Sequence, residues 1–304
     1  MITYKNFWPG FDGDGSLLNH LLNVSLPDTK NLQVNVSSVF TFPTIKTQFY
    51  ERLKVTFGIK SYEEYRELAL YRHPKIDKAA NLNIWFTAEN LRPPSHGYDL
   101  ALSFDPTDLE RSVPNIYFPF WMYNIDWGYA NRLDRREYFP TPEEIMRPAT
   151  ISGKRDKFCC AFFNNSEPVR LAILQSLNKI SYIDTYGSLF GNPVAQKADV
   201  AKDYVFMFVP ENSYYPGYIT EKVFEARNVG CIPIWWGSNV NNILNPKAVL
   251  DVTFMNTTDL ISSVKRIYSS LQLQQEMLAE PILNQKPEIQ SKIDLMKEVF
   301  RKFS

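Results

Sequence analysis

The chain has 304 residues, a length that suits two domains of roughly 150 each. Apolar residues make up 44% and aromatic residues 14%, enough for two cores, and 33 basic side chains balance 33 acidic ones. That balance excludes the basic face of a nucleic-acid binder and the charge block of a disordered tail.

Along the chain, "DGD" (12–14) lies in a Gly-rich loop and reads as a turn. Its EF-hand alternative fails because position 23 is Asn rather than Glu. A helical pattern follows at 61–72, then β-rich runs at 81–90 and 98–105. The stretch "PTPEEIMRPATISG" (140–153) has three prolines and no periodicity, and reads as a linker. Beyond it, strand and helix patterns alternate: strand 157–165, helix 167–179, strands 180–187 and 203–212, helix 219–228, strands 230–238 and 248–252, helices 257–271 and 288–303. Several of the strands are continuously apolar, as parallel strands covered on both faces are. The expected fold is α/β, with two domains, 1–150 and 151–304, facing across a cleft, and with the final helix free to pack back on the first.

Cys159, Cys160 and Cys231 lack CxxC spacing and read as buried apolar residues in a reducing compartment. His20, His73 and His96 have no zinc-ligand spacing. No apolar run approaches the roughly 18 residues of a membrane span, and no signal-peptide pattern opens the chain. The expected location is the cytoplasm, peripheral to the inner membrane in one variant; a Golgi-lumenal catalytic fragment is the weaker alternative.

Two places join a strand to a helix start through a polar loop. In "FVPENSYYPGYITEKVFEARNVGCIPIWWGS" (208–238), Thr220 is the expected N-cap, with Glu221 and Lys222 in the first turn. In "FFNNSEPVR" (162–170), Ser166 is the expected cap, Pro168 an early helical residue, and Arg170 projects from the first turn. Helix starts favour anions, and an Arg with a Lys there can clamp a diphosphate. No GxGxxG or GKS/T loop reinforces this, and spacing alone favours ordinary surface residues. Glu221 beside Lys222 is expected to stay ionised and to accept sugar hydroxyls. Glu89 ends an apolar strand among Trp85, Phe86 and Pro93; partial desolvation there suits a general base, while spacing alone favours a turn residue.

The segment 211–238 resembles the signature of the α1,3/4-fucosyltransferases: E-N-S/T, a short loop, Y-[VIL]-T-E-K, then G, [VIT]-P and W-G. Weaker echoes are "FWPGF", "FTAENLRPP…YDLALSFD…IYFPFWMY", "FFNNSEPVRLAILQSLNKISYIDTYG" and "LNPKAVLDV", which extend the resemblance over most of the chain. The resemblance implies two Rossmann-like domains (GT-B) and transfer of L-fucose from GDP-fucose with inversion. It implies that Arg170 and Lys222 hold the diphosphate, that Glu221 binds the fucose ring, and that Asn212 and Tyr218 line the donor site. Guanine and ribose are expected near "DTYG" (Asp184 to Gly187), with Tyr186, and near "ENS" (Glu211 to Ser213). Glu89 becomes the base that deprotonates the acceptor hydroxyl, expected to be the 3-hydroxyl of N-acetylglucosamine in N-acetyllactosamine, on a carrier such as bacterial lipopolysaccharide.

Two departures touch the acceptor: the family's Gly before the base is Ala88, and its "GFD" is "SFD" (103–105). Trp8, Phe11, Trp121 and Trp127 are candidates for stacking on the acceptor, or core residues. With two cations for the diphosphate no metal is required, though Mn²⁺ or Mg²⁺ can assist. No nucleic-acid partner is expected. The rival readings are a GT-B enzyme for another nucleotide sugar and a non-catalytic glycan-binding protein. The final helix groups Ile289, Ile293, Met296, Phe300 and Phe303 on one side, which suits packing more than membrane binding.

Overall fold

The computed structural model describes residues 1–28, 31–40, 58, 75–107, 111–129, 133, 139–149, 155–164, 166–194 and 196–303. The helix expected over 61–72 lies outside them, as does the end of the expected linker. The chain divides into two compact units, Met1–Phe139 with Glu288–Ser304, and Pro140–Pro287. The first unit thus ends before the expected boundary at 150, and the final helix belongs to it.

In the first unit, β1 (Ile2–Lys5) leads to α1 (Leu17–Ser25), then β2 (Val34–Ser37), β3 (Leu82–Phe86), β4 (Leu100–Ser103), β5 (Asn115–Tyr117) and the short α2 (Phe120–Tyr123). The strands form one parallel sheet in the order β1-β2-β3-β4-β5. Every residue of β2, β3 and β4 is buried, which is why β3 and β4 read as continuous apolar runs. Sequence periodicity missed β2 because four residues are too few for its alternation to stand out. Inside the sheet the Asn35 amide donates from Nδ2 to Ser37 Oγ and to Asn83 Oδ1, both at 3.0 Å. The missed strands β1 and β5 are shorter or more polar than a periodicity test can register. The "DGD" stretch is a turn: Asp12 Oδ1 accepts from Gly15 N at 3.2 Å. Ser16 then caps α1 by accepting from Asn19 N at 3.1 Å, and Leu17, Leu18, Leu21 and Leu22 go into the core.

The second unit opens with α3 (Pro142–Ile145), where a periodicity reading expected linker. A capping box formed by Thr141 and Glu144 makes this single turn stable. There follow β6 (Lys157–Phe162), α4 (Pro168–Leu177), β7 (Ile183–Tyr186), α5 (Lys197–Ala201), β8 (Tyr204–Phe208), α6 (Lys222–Asn228), β9 (Ile232–Trp235), β10 (Leu250–Asp251), α7 (Thr257–Tyr268) and α8 (Leu271–Ala279). All five strands run parallel in the order β10-β9-β8-β6-β7. The chain leaves β6 for β7 on one side, then returns to lay β8 on the other. In open parallel sheets the loops part at such a reversal, and ligands bind at the carboxyl ends there. The three cysteines are buried free thiols, as their spacing suggested.

The last helix, α9 (Gln290–Phe300), packs on α1 and β5 and buries Ile293, Met296 and Phe300. Ser25 Oγ lies 3.8 Å from the sulfur of Met296. Among the described residues no helix is long and apolar enough to cross a membrane.

Candidate functional site

A cavity of about 320 Å³ lies at the reversal point of the second sheet. Its walls come from the carboxyl ends of β6 (Phe162, Asn164) and β8 (Phe208, Asn212) and from the start of α6 (Glu221, Lys222). Gly187, just past β7, closes one side in a left-handed conformation (φ 108°). A Cβ at this position would sit 2.1 Å from the carbonyl oxygen of Phe163, so only glycine allows the approach.

Arg170 reaches the cavity from the first turn of α4. The cap of that helix is Glu167, not the expected Ser166: its carboxylate accepts from Arg170 N at 3.1 Å, and Pro168 takes the first helical position. A carboxylate three residues before the donating N–H competes well with a hydroxyl, because it also carries the charge that a helix start favours. Arg170 is buried, exposing only 3% of its surface. It donates from Nε to the Glu211 carbonyl at 2.8 Å and from a terminal nitrogen to Asn212 Oδ1 at 2.5 Å and the Pro210 carbonyl at 3.4 Å. Burial draws its pKa down, and the charge of Glu211 opposes this.

Lys222 begins α6, whose N-cap position is Glu221. The expected cap, Thr220, turns inward instead. Its backbone N donates to one oxygen of Glu211 at 2.8 Å and its hydroxyl to the other at 2.7 Å. Glu211 is fully buried and also accepts from Lys222 Nζ at 3.2 Å and from Trp235 Nε1 at 3.4 Å. The Lys222 ammonium has a further contact with Thr220 Oγ at 3.1 Å. Burial pulls the Lys222 pKa down, but the carboxylates of Glu211 and Glu221 outweigh it and the net shift is upward, so the side chain is a cation at neutral pH. A second ion pair, Lys197 Nζ to Glu225 at 2.9 Å, lines the same cavity.

Four of the sequence-derived residues therefore converge on one cavity: Arg170, Asn212, Glu221 and Lys222. The others lie off its walls. Tyr218 is buried behind them, and Ser213 is half-buried in the loop after β8. Asp184 and Tyr186 both bind the buried Tyr204 hydroxyl, at 2.8 Å and 2.9 Å, and Tyr186 stacks on Phe162 with ring centroids 5.1 Å apart. Sequence reasoning placed Glu211 beside guanine and ribose and missed its role as a buried hub. The signal available was an acid ending a fully apolar strand run, which burial obliges to find partners.

In the first unit, Glu89 follows β3 in a turn held by Thr87, whose hydroxyl donates to the Glu89 carbonyl at 2.8 Å and accepts from Glu89 N at 3.0 Å. Nearby, the buried Asp105 of the "SFD" stretch pairs with both Arg92 and Arg111. Of the aromatic candidates, Trp121 is a core residue, while Trp8, Phe11 and Trp127 are half-buried. Trp127 Nε1 donates to the Met122 carbonyl at 3.0 Å, and Phe11 stacks on Phe7 at 4.0 Å.

Several known proteins are similar to this chain. Residues 152–277, which hold Arg170, Glu211 and Lys222, match the model for glycosyltransferase family 10 (fucosyltransferase), C-terminal part. The chain is 26% identical over 225 residues to the α-(1,3)-fucosyltransferase FucT of Helicobacter pylori, covering 66% of this chain and 47% of that one. It is 32% identical over 103 residues to the α-(1,4)-fucosyltransferase of Arabidopsis thaliana, covering 30% and 26%. The chain thus spans less than half the length of these curated relatives. In fold it is similar to a crystal structure of an α1,3-fucosyltransferase with GDP-fucose, at a TM-score of 0.63 and 18% identity over 99% of this chain and 90% of that one. The shared GT-B fold, the matched segment and the relatives agree: this chain is similar to the family 10 glycosyltransferases, the fucosyltransferases.

Proposed function

We propose that this chain transfers L-fucose from GDP-fucose, with inversion at the anomeric carbon, to a hydroxyl of an acceptor glycan. The acceptor group is the 3-hydroxyl of N-acetylglucosamine in an N-acetyllactosamine-type structure. One observation carries the reading: Arg170 and Lys222, from two different helix starts, converge on one cavity at the reversal point of a parallel sheet. A site with two fixed cations suits a diphosphate, and the relative crystallised with GDP-fucose supplies the donor.

In this mechanism Glu89 takes the proton of the acceptor hydroxyl, and the hydroxyl oxygen bonds to the anomeric carbon. The bond from that carbon to the diphosphate oxygen breaks through an oxocarbenium-like state, and its electron pair leaves on GDP. Arg170 and Lys222 meet the charge where it develops. Preorganised donors of this kind are each worth about 3 kcal/mol of barrier. Glu221 holds the fucose hydroxyls, while Asn212 and Tyr218 keep the cationic wall in place. Ser213, Asp184 and Tyr186 serve the guanosine end. The first unit supplies the acceptor surface.

The test is an assay of GDP release from GDP-fucose with a panel of oligosaccharides, followed by linkage analysis. The expected result is a fucosylated N-acetyllactosamine with the α1,3 linkage. Release of nucleotide from a different sugar donor in preference to GDP-fucose overturns the donor, and glycan binding with no GDP release overturns the catalytic reading.

A further inference from the structure

Glu211 has an unusual position for an acid. It is fully buried, so it cannot touch substrate, yet it contacts both cations of the cavity through different atoms. Its carbonyl oxygen accepts from Arg170 Nε at 2.8 Å, and its carboxylate accepts from Lys222 Nζ at 3.2 Å. The carboxylate is itself held by neutral donors. Thr220 N and Oγ hold one oxygen each at 2.8 and 2.7 Å, Trp235 Nε1 lies 3.4 Å from the first, and Glu211 N donates to the Trp236 carbonyl at 2.9 Å. Thr220 gives up the cap of α6 to serve here, which leaves that helix without a side-chain cap.

We infer that Glu211 is a positioning residue: its buried carboxylate fixes the Lys222 ammonium at the cavity wall and keeps it charged beside the like charge of Arg170. The inference rests on the reading that the cavity takes the diphosphate of GDP. Arg170 and Lys222 repel each other, and a lysine that is partly desolvated can relieve this by losing its proton or swinging away. The groups that face Lys222 are Glu211, Glu221 and Glu225 on the acidic side and Arg170 on the basic side. Glu225 is already committed to Lys197 at 2.9 Å, and Glu221 lies at the cavity wall, where substrate competes for it. Glu211 alone of the three acids is fully enclosed and fixed by neutral donors. A diphosphate entering the cavity therefore meets a lysine whose position and charge are set in advance, so little binding energy is lost in ordering it.

The test compares wild type, Glu211→Gln, Glu211→Asp, Lys222→Ala and the Glu211→Gln/Lys222→Ala pair. Calorimetric titration with GDP is run from neutral to alkaline pH. Glu211→Gln is expected to bind GDP about tenfold more weakly. Its affinity is expected to fail at lower pH than that of wild type, because without Glu211 the ammonium deprotonates sooner. Glu211→Asp keeps the charge, so its alkaline limb stays near that of wild type. The double variant is expected to match Lys222→Ala, since both changes act on one cation. Losses that add in the double variant, or an unshifted limb in Glu211→Gln with wild-type affinity, overturn the inference while leaving the donor reading intact. If wild type binds no GDP, the donor reading falls and the inference falls with it. Should Glu211→Gln not fold, Glu211→Asp against Lys222→Ala decides: Glu211→Asp must stay closer to wild type, and equal losses overturn the inference.

Discussion

Lys222 and Glu89 are expected to fail in different ways when truncated. Lys222→Ala removes a cation that meets the diphosphate in both ground and transition states. GDP affinity and turnover with GDP-fucose should fall together, by about tenfold or more each. Glu89→Gln leaves the second unit untouched, so GDP affinity should stay near wild type while turnover drops by about 10²–10⁴-fold. Calorimetry with GDP and initial-rate kinetics separate the two, and a Glu89→Gln enzyme with normal turnover removes Glu89 from the role. The types and places of these residues were legible because each ends a strand or begins a helix. What the sequence hid was the choice between neighbours. Thr220 and Ser166 are ordinary caps by propensity, yet a buried acid recruits the first, and Glu167 displaces the second with a charge that the helix start favours. Nor does the sequence show that Tyr204, distant along the chain, donates to one carboxylate oxygen of Asp184.

At the scale of elements, the second sheet was the more legible because its strands are apolar throughout and its turns are marked by Gly, Pro and Asn. The first sheet was half hidden, since β1, β2 and β5 are short and carry polar residues. The helix pattern over 257–271 concealed a break at Ser270, whose hydroxyl caps α8 by accepting from Leu273 N at 3.2 Å. Arg227, near the end of α6, is enclosed without a carboxylate among its hydrogen-bond partners and donates to the carbonyls of Met277, Leu278 and Glu280. Those carbonyls lie at the C-terminal end of α8, where a cation is favoured, and desolvation brings the Arg227 pKa down to about 10. A close junction between elements lies at Gly187, where the end of β7 meets the end of β6. Gly187→Ala puts a methyl group against the Phe163 carbonyl at a positive φ. It should destabilise the chain by about 2 kcal/mol or more and narrow the cavity. Urea unfolding with and without GDP checks this, and unchanged stability refutes the close approach.

At the scale of the whole molecule, composition and the alternation of patterns were enough for two parallel α/β units, but not for where the chain passes between them. The first unit is completed by α9, a segment that follows the entire second unit in sequence. Phe300 is fully buried there. Phe300→Ala should cost about 3–5 kcal/mol, with the loss confined to the first unit. Hydrogen exchange resolved by segment should show faster exchange in α1 and β5 while β6 and β8 stay protected, and uniform loss of protection would refute the division into units. The same helix sets the order of events on the ribosome. Part of what packs on α1 is α9, which is translated only after the whole second unit, so the first unit must wait for that helix to finish folding.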